Sequence, residues 1–164
     1  MTTQEIENEI KSAIKAIPSL SEFPNEGRNP KWTKAIRLAI GKLGENLGYE
    51  VCGLPFQEGW LFDLCWFSTT DTSDQKLLNM TLAMESELNK KYSEIKYDFE
   101  KLLIAKSKFK ILVFQAKGQT ITDYFKKVEQ SIRTYQSGSS GEIYLLACYD
   151  YENEEFEIKR IEGA

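Results

Sequence analysis

Three carboxylates near the middle of the chain have the residue types and spacing best suited to chemistry. Asp63 lies in the apolar run WLFDLCWF (60–67), where an ionised side chain is costly to bury without a partner. Glu85 and Glu87 are two residues apart, so they project from the same face of an extended strand. Because adjacent like charges repel, each is stabilised by a nearby cation. If the two strands are neighbours, the acids converge on a hard-oxygen site suited to Mg²⁺ or Mn²⁺.

The same residues also have an interpretation without chemistry. Asp63 at a strand end, or bonded to backbone amides, would be structural, and Glu85 and Glu87 would be solvated acids. An Asp63–Glu85 separation above about 10 Å would favour an unrelated α/β protein, because shared ligands each lie roughly 2–2.5 Å from one ion. The arrangement of the two strands therefore separates the two interpretations.

The chain contains no histidine, and this absence excludes several classes of enzyme. Ser-His-Asp and Cys-His catalysis, histidine-metal nucleases and the usual zinc sites all require that residue. Any acid–base or metal chemistry must come from carboxylates, lysines or tyrosines. Cys52, Cys65 and Cys148 occur singly in apolar runs, which is typical of buried core residues in a reducing compartment. Metal binding or a disulfide is the alternative for these cysteines.

Length and composition favour one globular domain. The chain has 164 residues, of which 41% are hydrophobic and 28% charged, values that are ordinary for a single folded domain. No apolar run approaches the ~20 residues needed to cross a bilayer. The polar N-terminus lacks the apolar core of a signal peptide. We therefore expect a cytoplasmic protein with no membrane partner.

Hydrophobic periodicity predicts the elements that must position the acids. Helices are predicted over residues 3–17, from the capping Asn29 to about residue 48, over 93–106, and from residue 118 onward. Strands are predicted over residues 49–53, 60–67, 78–87, 109–115, 142–149 and 156–161. Three consecutive strands followed by strand–helix–strand crossovers predict an α/β fold with a mixed central sheet flanked by helices.

This order of elements, with the three acids in place, resembles the PD-(D/E)XK nuclease superfamily, which has the restriction-endonuclease-like fold. The resemblance covers residues 29–149 and implies an αβββαβ core, preceded by an N-terminal helix and loop (1–28) and followed by a C-terminal hairpin strand (150–164). In that family an Asp on the second core strand and an acid on the third hold a divalent metal. Asp63 and Glu85 match these two positions. Glu87 stands where the family usually has Lys, and Phe62 stands where it often has Pro.

The resemblance implies metal-dependent hydrolysis of nucleic-acid phosphodiester bonds. Asp63, Glu85 and Glu87 would hold Mg²⁺ or Mn²⁺, and Glu87 would bind the metal or orient the attacking water. Lys101, in the helical segment DFEKLL, is the candidate that stabilises the charged phosphorane in place of the missing lysine. A solvated helix lysine is the alternative for Lys101. Since the third position departs from the pattern, a catalytically inactive binding or regulatory module is the alternative for the whole chain.

A basic stretch in the second predicted helix points to a nucleic-acid partner, although the net charge is −4. No acidic residue occurs from 27 to 44, and the stretch carries Arg28, Lys31, Lys34, Arg37 and Lys42. We expect Lys34 and Arg37 to contact phosphates, and Gln115 to contact substrate. A solvated helix face and a strand-capping glutamine are the alternatives. The expected partner is DNA rather than RNA, and cleavage of both strands would suit a homodimer.

Overall fold

Four α-helices lie within residues 1–20 and 30–163, which are the residues that the computed structural model describes. They are α1 (Thr3–Ala16), α2 (Pro30–Asn46), α3 (Tyr92–Ile104) and α4 (Gln119–Thr134), with a 3₁₀ turn at Ile17–Ser19 after α1. Helix α1 begins with a capping box in which Thr2 Oγ1 accepts from the Glu5 amide and Glu5 Oε2 accepts from the Thr2 amide. The predicted cap Asn29 and the basic Arg28 lie outside the described residues.

Six strands form one sheet in this part of the chain, and they lie in chain order. They are β1 (Glu50–Cys52), β2 (Leu64–Thr69), β3 (Leu77–Ser86), β4 (Ser107–Ala116), β5 (Ile143–Asp150) and β6 (Glu155–Glu162). The pairs β1–β2, β2–β3 and β5–β6 are antiparallel, whereas β3–β4 and β4–β5 are parallel. Helices α3 and α4 provide the crossovers that parallel strands require. The predicted mixed sheet flanked by helices is confirmed.

Each face of the sheet carries its own apolar core, because alternate strand residues point to opposite faces. On one face Leu82 and Met84 of β3 join a cluster with side chains of α1 and α2. On the other face Ala83 of β3 joins a cluster with side chains of α3 and α4. Glu85 continues the second row, so it points toward α3. The central strands are therefore covered on both sides, as the apolar runs of β4 and β5 predict.

The start of β2 differs from the prediction. The strand begins at Leu64, and residues 53–63 form a loop between β1 and β2. Within the run that predicted a central strand, Trp60 and Leu61 are 55% and 65% exposed. Phe56 of this loop packs against Gly41 of α2. Leu78 of β3 is also exposed, because the core covers β3 only from Leu82 onward.

A buried ion pair ties the first helix to the last strand. Glu7 of α1 is 1% exposed, and its carboxylate accepts from Arg160 of β6 at 3.0 Å and from Lys11 at 2.5 Å. Burial favours the neutral acid, but the two cations outweigh it and lower the pKa of Glu7. Helix α1 is thus held to the sheet by charge as well as by its apolar face.

The three cysteines agree with the expectation of buried core residues. Cys52, Cys65 and Cys148 are buried free thiols. No helix among residues 1–20 and 30–163 has the length and apolar character needed to span a membrane.

Candidate functional site

Asp63 and Glu85 are brought together where β2 begins and β3 ends. Leu64 pairs with Met84 in the antiparallel register of the two strands, so Asp63 and Glu85 come one step beyond that pair at the same edge of the sheet. The prediction that their strands are neighbours is confirmed. The negative charge of Asp63 contributes to a raised pKa of Glu85, which is a consequence of their proximity.

Asp63 is fully engaged by hydrogen bonds from two elements. Its Oδ2 accepts from the backbone amide of Ser86 at 2.9 Å and from the Ser86 hydroxyl at 2.7 Å. Its Oδ1 accepts from Arg37 Nη2 of α2 at 2.6 Å. Both ionic side chains of this pair are 23% exposed. Asp63 therefore joins helix α2 to the end of strand β3, on the face opposite to helix α3.

Glu85 is the buried member of the pair. The residue is 1% exposed, and its Oε2 accepts from Lys101 Nζ at 2.9 Å. Its Oε1 is buried and has no hydrogen-bond partner among the described residues. Burial raises the pKa of Glu85 to about 7, against the opposing effect of Lys101. This carboxyl group is consequently poised between its neutral and charged forms near neutral pH.

Lys101 lies between two acids rather than in open solvent. Its Nζ is 2.9 Å from Glu85 Oε2 and 2.8 Å from Asp98 Oδ1, and its side chain is 36% exposed. Burial lowers the pKa of Lys101, but the hydrogen bonds that it donates to Asp98 and Glu85 outweigh that effect and raise it. The predicted lysine on helix α3 thus places a permanent positive charge at the site.

Glu87 lies just beyond the end of β3, and its carboxylate is turned toward the following turn. Its Oε1 accepts from the Asn89 amide at 2.6 Å. Burial raises the pKa of Glu87, and the bond from the Asn89 amide opposes this effect. The side-chain hydrogen bond between Glu87 and Asp98 and the negative charge of Asp98 raise the pKa further. Asp98 is a site residue that the sequence interpretation missed. Its signal was the i, i+3 spacing from Lys101 on one face of a helix.

The residues predicted to contact substrate lie on two elements, Gln115 on β4 and Lys34 and Arg37 on α2. Gln115 is fully buried, and its Nε2 donates to the Leu88 carbonyl at 2.5 Å, so it holds the segment after β3 against β4. The structural alternative accounts for this position, and the predicted substrate contact stays untested. Lys34 is exposed on α2, one turn before Arg37. Arg37 Nε is buried with no hydrogen-bond partner among the described residues.

More lysines surround the carboxyl ends of the parallel strands. An open depression of about 610 Å³ is lined by residues 87–91, which include Glu87. Beside it, Lys90 Nζ lies 4.0 Å from the centre of the Tyr151 ring and Lys117 Nζ lies 5.9 Å from it. Acidic side chains at the centre are therefore bordered by exposed cations.

The donor set fits a divalent metal in part. Carboxylate oxygens are the ligands that Mg²⁺ and Mn²⁺ prefer, and the buried Glu85 Oε1 without a protein partner is an oxygen that a cation would satisfy. Within residues 1–20 and 30–163, however, no three His, Cys, Asp or Glu side chains are arranged as a metal-binding group. Arg37 and Lys101 neutralise Asp63 and Glu85, while Glu87 bonds to Asn89. The part of Asp63, Glu85 and Glu87 in holding a metal therefore stays a prediction.

No protein-family model matches the chain, and comparisons with the curated proteins and with the solved structures found no significant match. The fold and the site define a class: a mixed α/β protein with a six-stranded sheet between helices and a carboxylate–cation cluster at one edge of that sheet.

Proposed function

We propose that this protein is a nuclease-type domain that hydrolyses nucleic-acid phosphodiester bonds with a divalent metal held by Asp63 and Glu85. The observation that carries the proposal is that Asp63 and Glu85 both lie just beyond the Leu64–Met84 pair, at the same end of β2 and β3, with Lys101 Nζ 2.9 Å from Glu85 Oε2. Phosphodiester cleavage requires charge neutralisation at the phosphate, and this cluster supplies both a metal-ligand pair and a fixed cation.

The order of elements supports a restriction-endonuclease-like core as the finer description of the fold. From α2 onward the chain runs helix, three antiparallel strands, helix, parallel strand, which follows the αβββαβ order that the resemblance implies. Glu85 lies on the third of these strands, and Asp63 lies one residue before the second. The proposed activity therefore rests on the positions of the acids within the fold, and not on the fold alone.

Each side chain has a distinct role in the proposed reaction. A bound divalent ion would supply Lewis-acid polarisation of the phosphate and a nucleophile derived from water at neutral pH. Lys101 places its positive charge where negative charge grows on the phosphorane. Arg37, released from Asp63, contacts a phosphate oxygen through its guanidinium group. Glu87 orients the attacking water with the oxygen that does not bond to Asn89.

The test is a Mn²⁺ titration by calorimetry of the wild type, Asp63→Asn and Glu85→Gln, with Glu45→Gln as the matched control. Glu45 is an exposed acid on α2, so its loss leaves the site intact. We expect binding in the wild type and the control, and loss of binding in both site variants. Cleavage of single- and double-stranded DNA and RNA is then measured with Mg²⁺ and Mn²⁺. Mn²⁺ binding that survives both substitutions would refute the proposed site.

A second candidate function is a catalytically inactive module that binds nucleic acid or regulates a partner. The observation that favours it is that Arg37 and Lys101 already satisfy the charges of Asp63 and Glu85 without a metal. The same assays separate the candidates. An inactive module binds nucleic acid equally well with and without Mn²⁺ and cleaves none of the substrates.

Three accompanying proposals concern context. We propose DNA as the partner, because the exposed cations of α2 suit phosphate contacts. We propose that the chain forms a homodimer, which light scattering tests directly. The three buried free cysteines support a reducing, cytoplasmic setting.

A further inference from the structure

Trp60 differs from the other tryptophans of the chain in its exposure. Trp32 and Trp66 are 0% exposed and belong to the core, whereas Trp60 is 55% exposed and its neighbour Leu61 is 65% exposed. A large apolar pair exposed to solvent is typical of a binding surface. Trp60 is only three residues before Asp63, so the two lie within about 10 Å along the chain.

The loop that carries Trp60 is anchored at several points. Gly53 O accepts from the Phe56 amide at 2.9 Å, and Cys52 Sγ donates to the Glu58 carbonyl at 2.9 Å. The Phe56 ring lies so close to Gly41 that a Cβ there would come within 2.0 Å of it. Trp60 is therefore presented by a fixed loop, and a fixed aromatic ring binds with little loss of conformational entropy.

Helix α2 places cations beside this loop. Lys34, Arg37 and Gly41 occupy positions i, i+3 and i+7, which lie on one face of a helix. Gly41 receives Phe56, Arg37 bonds to Asp63, and Lys34 is exposed one turn earlier. No acidic residue occurs from 30 to 44. Lys34 is thus an exposed cation one helical turn before Arg37, on the side of α2 that contacts this loop.

We infer that Trp60 is a stacking platform for an unpaired nucleobase, with the strand's phosphates along Lys34 and Arg37, so that the substrate is single-stranded nucleic acid. This inference rests on the proposed function and specifies its substrate class. An aromatic ring beside a cationic track is the combination that binds single strands. Base faces in a duplex are covered by their neighbours in the stack, so an isolated surface ring reaches only an unpaired base. The cations beside Trp60 complement the negative charge of a nucleic acid. An apolar protein partner would need only the apolar surface of Leu61, so charge complementarity favours nucleic acid.

The experiment measures fluorescence anisotropy of a labelled 20-nucleotide DNA single strand, and of its duplex, with the full chain. Ca²⁺ replaces Mg²⁺ to hold the reaction before cleavage. We expect the wild type to bind the single strand at least tenfold more tightly than the duplex. Trp60→Ala should weaken single-strand binding by about tenfold or more, as loss of base stacking does, and Trp60→Phe should retain most of the affinity. Leu77→Ala, an equally exposed apolar residue at the opposite end of β3, is the matched control.

Tryptophan emission supplies an independent readout, because Trp60 is the exposed indole. Single-stranded DNA should quench the wild-type emission, and it should not quench Trp60→Phe, in which only Trp32 and Trp66 remain. Equal or tighter duplex binding, or unchanged single-strand affinity in Trp60→Ala, would overturn the inference while leaving nuclease function in place. Absence of binding to either nucleic acid would overturn both.

Discussion

Lys101 Nζ of helix α3 lies 2.9 Å from Glu85 Oε2 of strand β3, and Glu85 is almost completely buried. The pair joins two elements that are consecutive in the chain, since α3 follows β3 directly. The contact also has an electrostatic consequence. Lys101 partly offsets the effect of burial on the pKa of Glu85, which the negative charge of Asp63 raises further. The stability of the fold and the chemistry of the site therefore depend on the same contact.

Replacing Lys101 with Met should leave Glu85 without its cation. We expect the pKa of Glu85 to rise further and the free energy of unfolding at pH 7 to fall by about 1–2 kcal/mol. This is less than the roughly 3–5 kcal/mol typical of a broken buried pair, because Lys101 is partly exposed and Glu85 can take up a proton. Urea denaturation checks this, with Lys96→Met on the exposed face of α3 as control. Equal losses in the two variants would contradict the prediction.

Glu85 should make stability fall as the pH rises between about 4.5 and 7. Its folded-state pKa of about 7 lies above the ordinary value of 4.5, so in this range the folded protein binds more protons than the unfolded chain. Its contribution is therefore fully present below pH 4.5 and is lost as the pH passes through 7. Glu85→Gln should remove the dependence. We expect the wild-type free energy of unfolding, relative to that variant, to decrease by roughly 2–3 kcal/mol across the range. A difference that stays constant from pH 4.5 to 8 would show that Glu85 titrates normally.

Arg37 should compete with a divalent cation for Asp63, because its guanidinium already occupies Oδ1. On the proposed function, Arg37→Gln should tighten Mn²⁺ binding by up to about tenfold, the equivalent of one charged hydrogen bond of roughly 1.5 kcal/mol. The same change should weaken nucleic-acid binding. Calorimetry and anisotropy measure the two effects, with Lys42→Gln on α2 as control. Mn²⁺ binding that weakens instead would indicate that Arg37 supports the metal site.

Gly41 should tolerate no side chain, because an added Cβ would lie 2.0 Å from the Phe56 ring. Gly41→Ala must displace the ring and the loop that it anchors, so we expect a loss of about 1–3 kcal/mol in the free energy of unfolding. The emission of Trp60 should shift because its loop moves. Gly59→Ala is the matched control, since nothing lies within 4 Å of a Cβ there. Thermal denaturation with fluorescence detection measures both effects, and similar behaviour of the two variants would disprove the packing argument.

The sequence by itself determined the order and approximate bounds of the helices and strands, because the spacing of apolar residues is a local property of each element. It also placed Asp63 and Glu85 on consecutive strands, which commonly pair. Only the tertiary structure decided what these acids contact. Asp63 bonds to Arg37, 26 positions away in the chain, and Glu85 bonds to Lys101, 16 positions away. Contacts between residues so far apart in the chain depend on strand register and helix packing.

The apolar run 60–67 shows the same limit. Its residues lie in different environments. Trp60 and Leu61 are exposed to solvent, Asp63 lies in the site, and Leu64 belongs to the core. Apolar character alone could not distinguish these environments, because exposure depends on which residues pair into the sheet and which lie in the loop before it. Gln115 and Asp98 likewise acquired their roles from neighbouring elements, Leu88 for one and Lys101 for the other. The fold followed from local pattern, whereas the site was decided by side chains that only the packed sheet and helices bring within hydrogen-bonding distance.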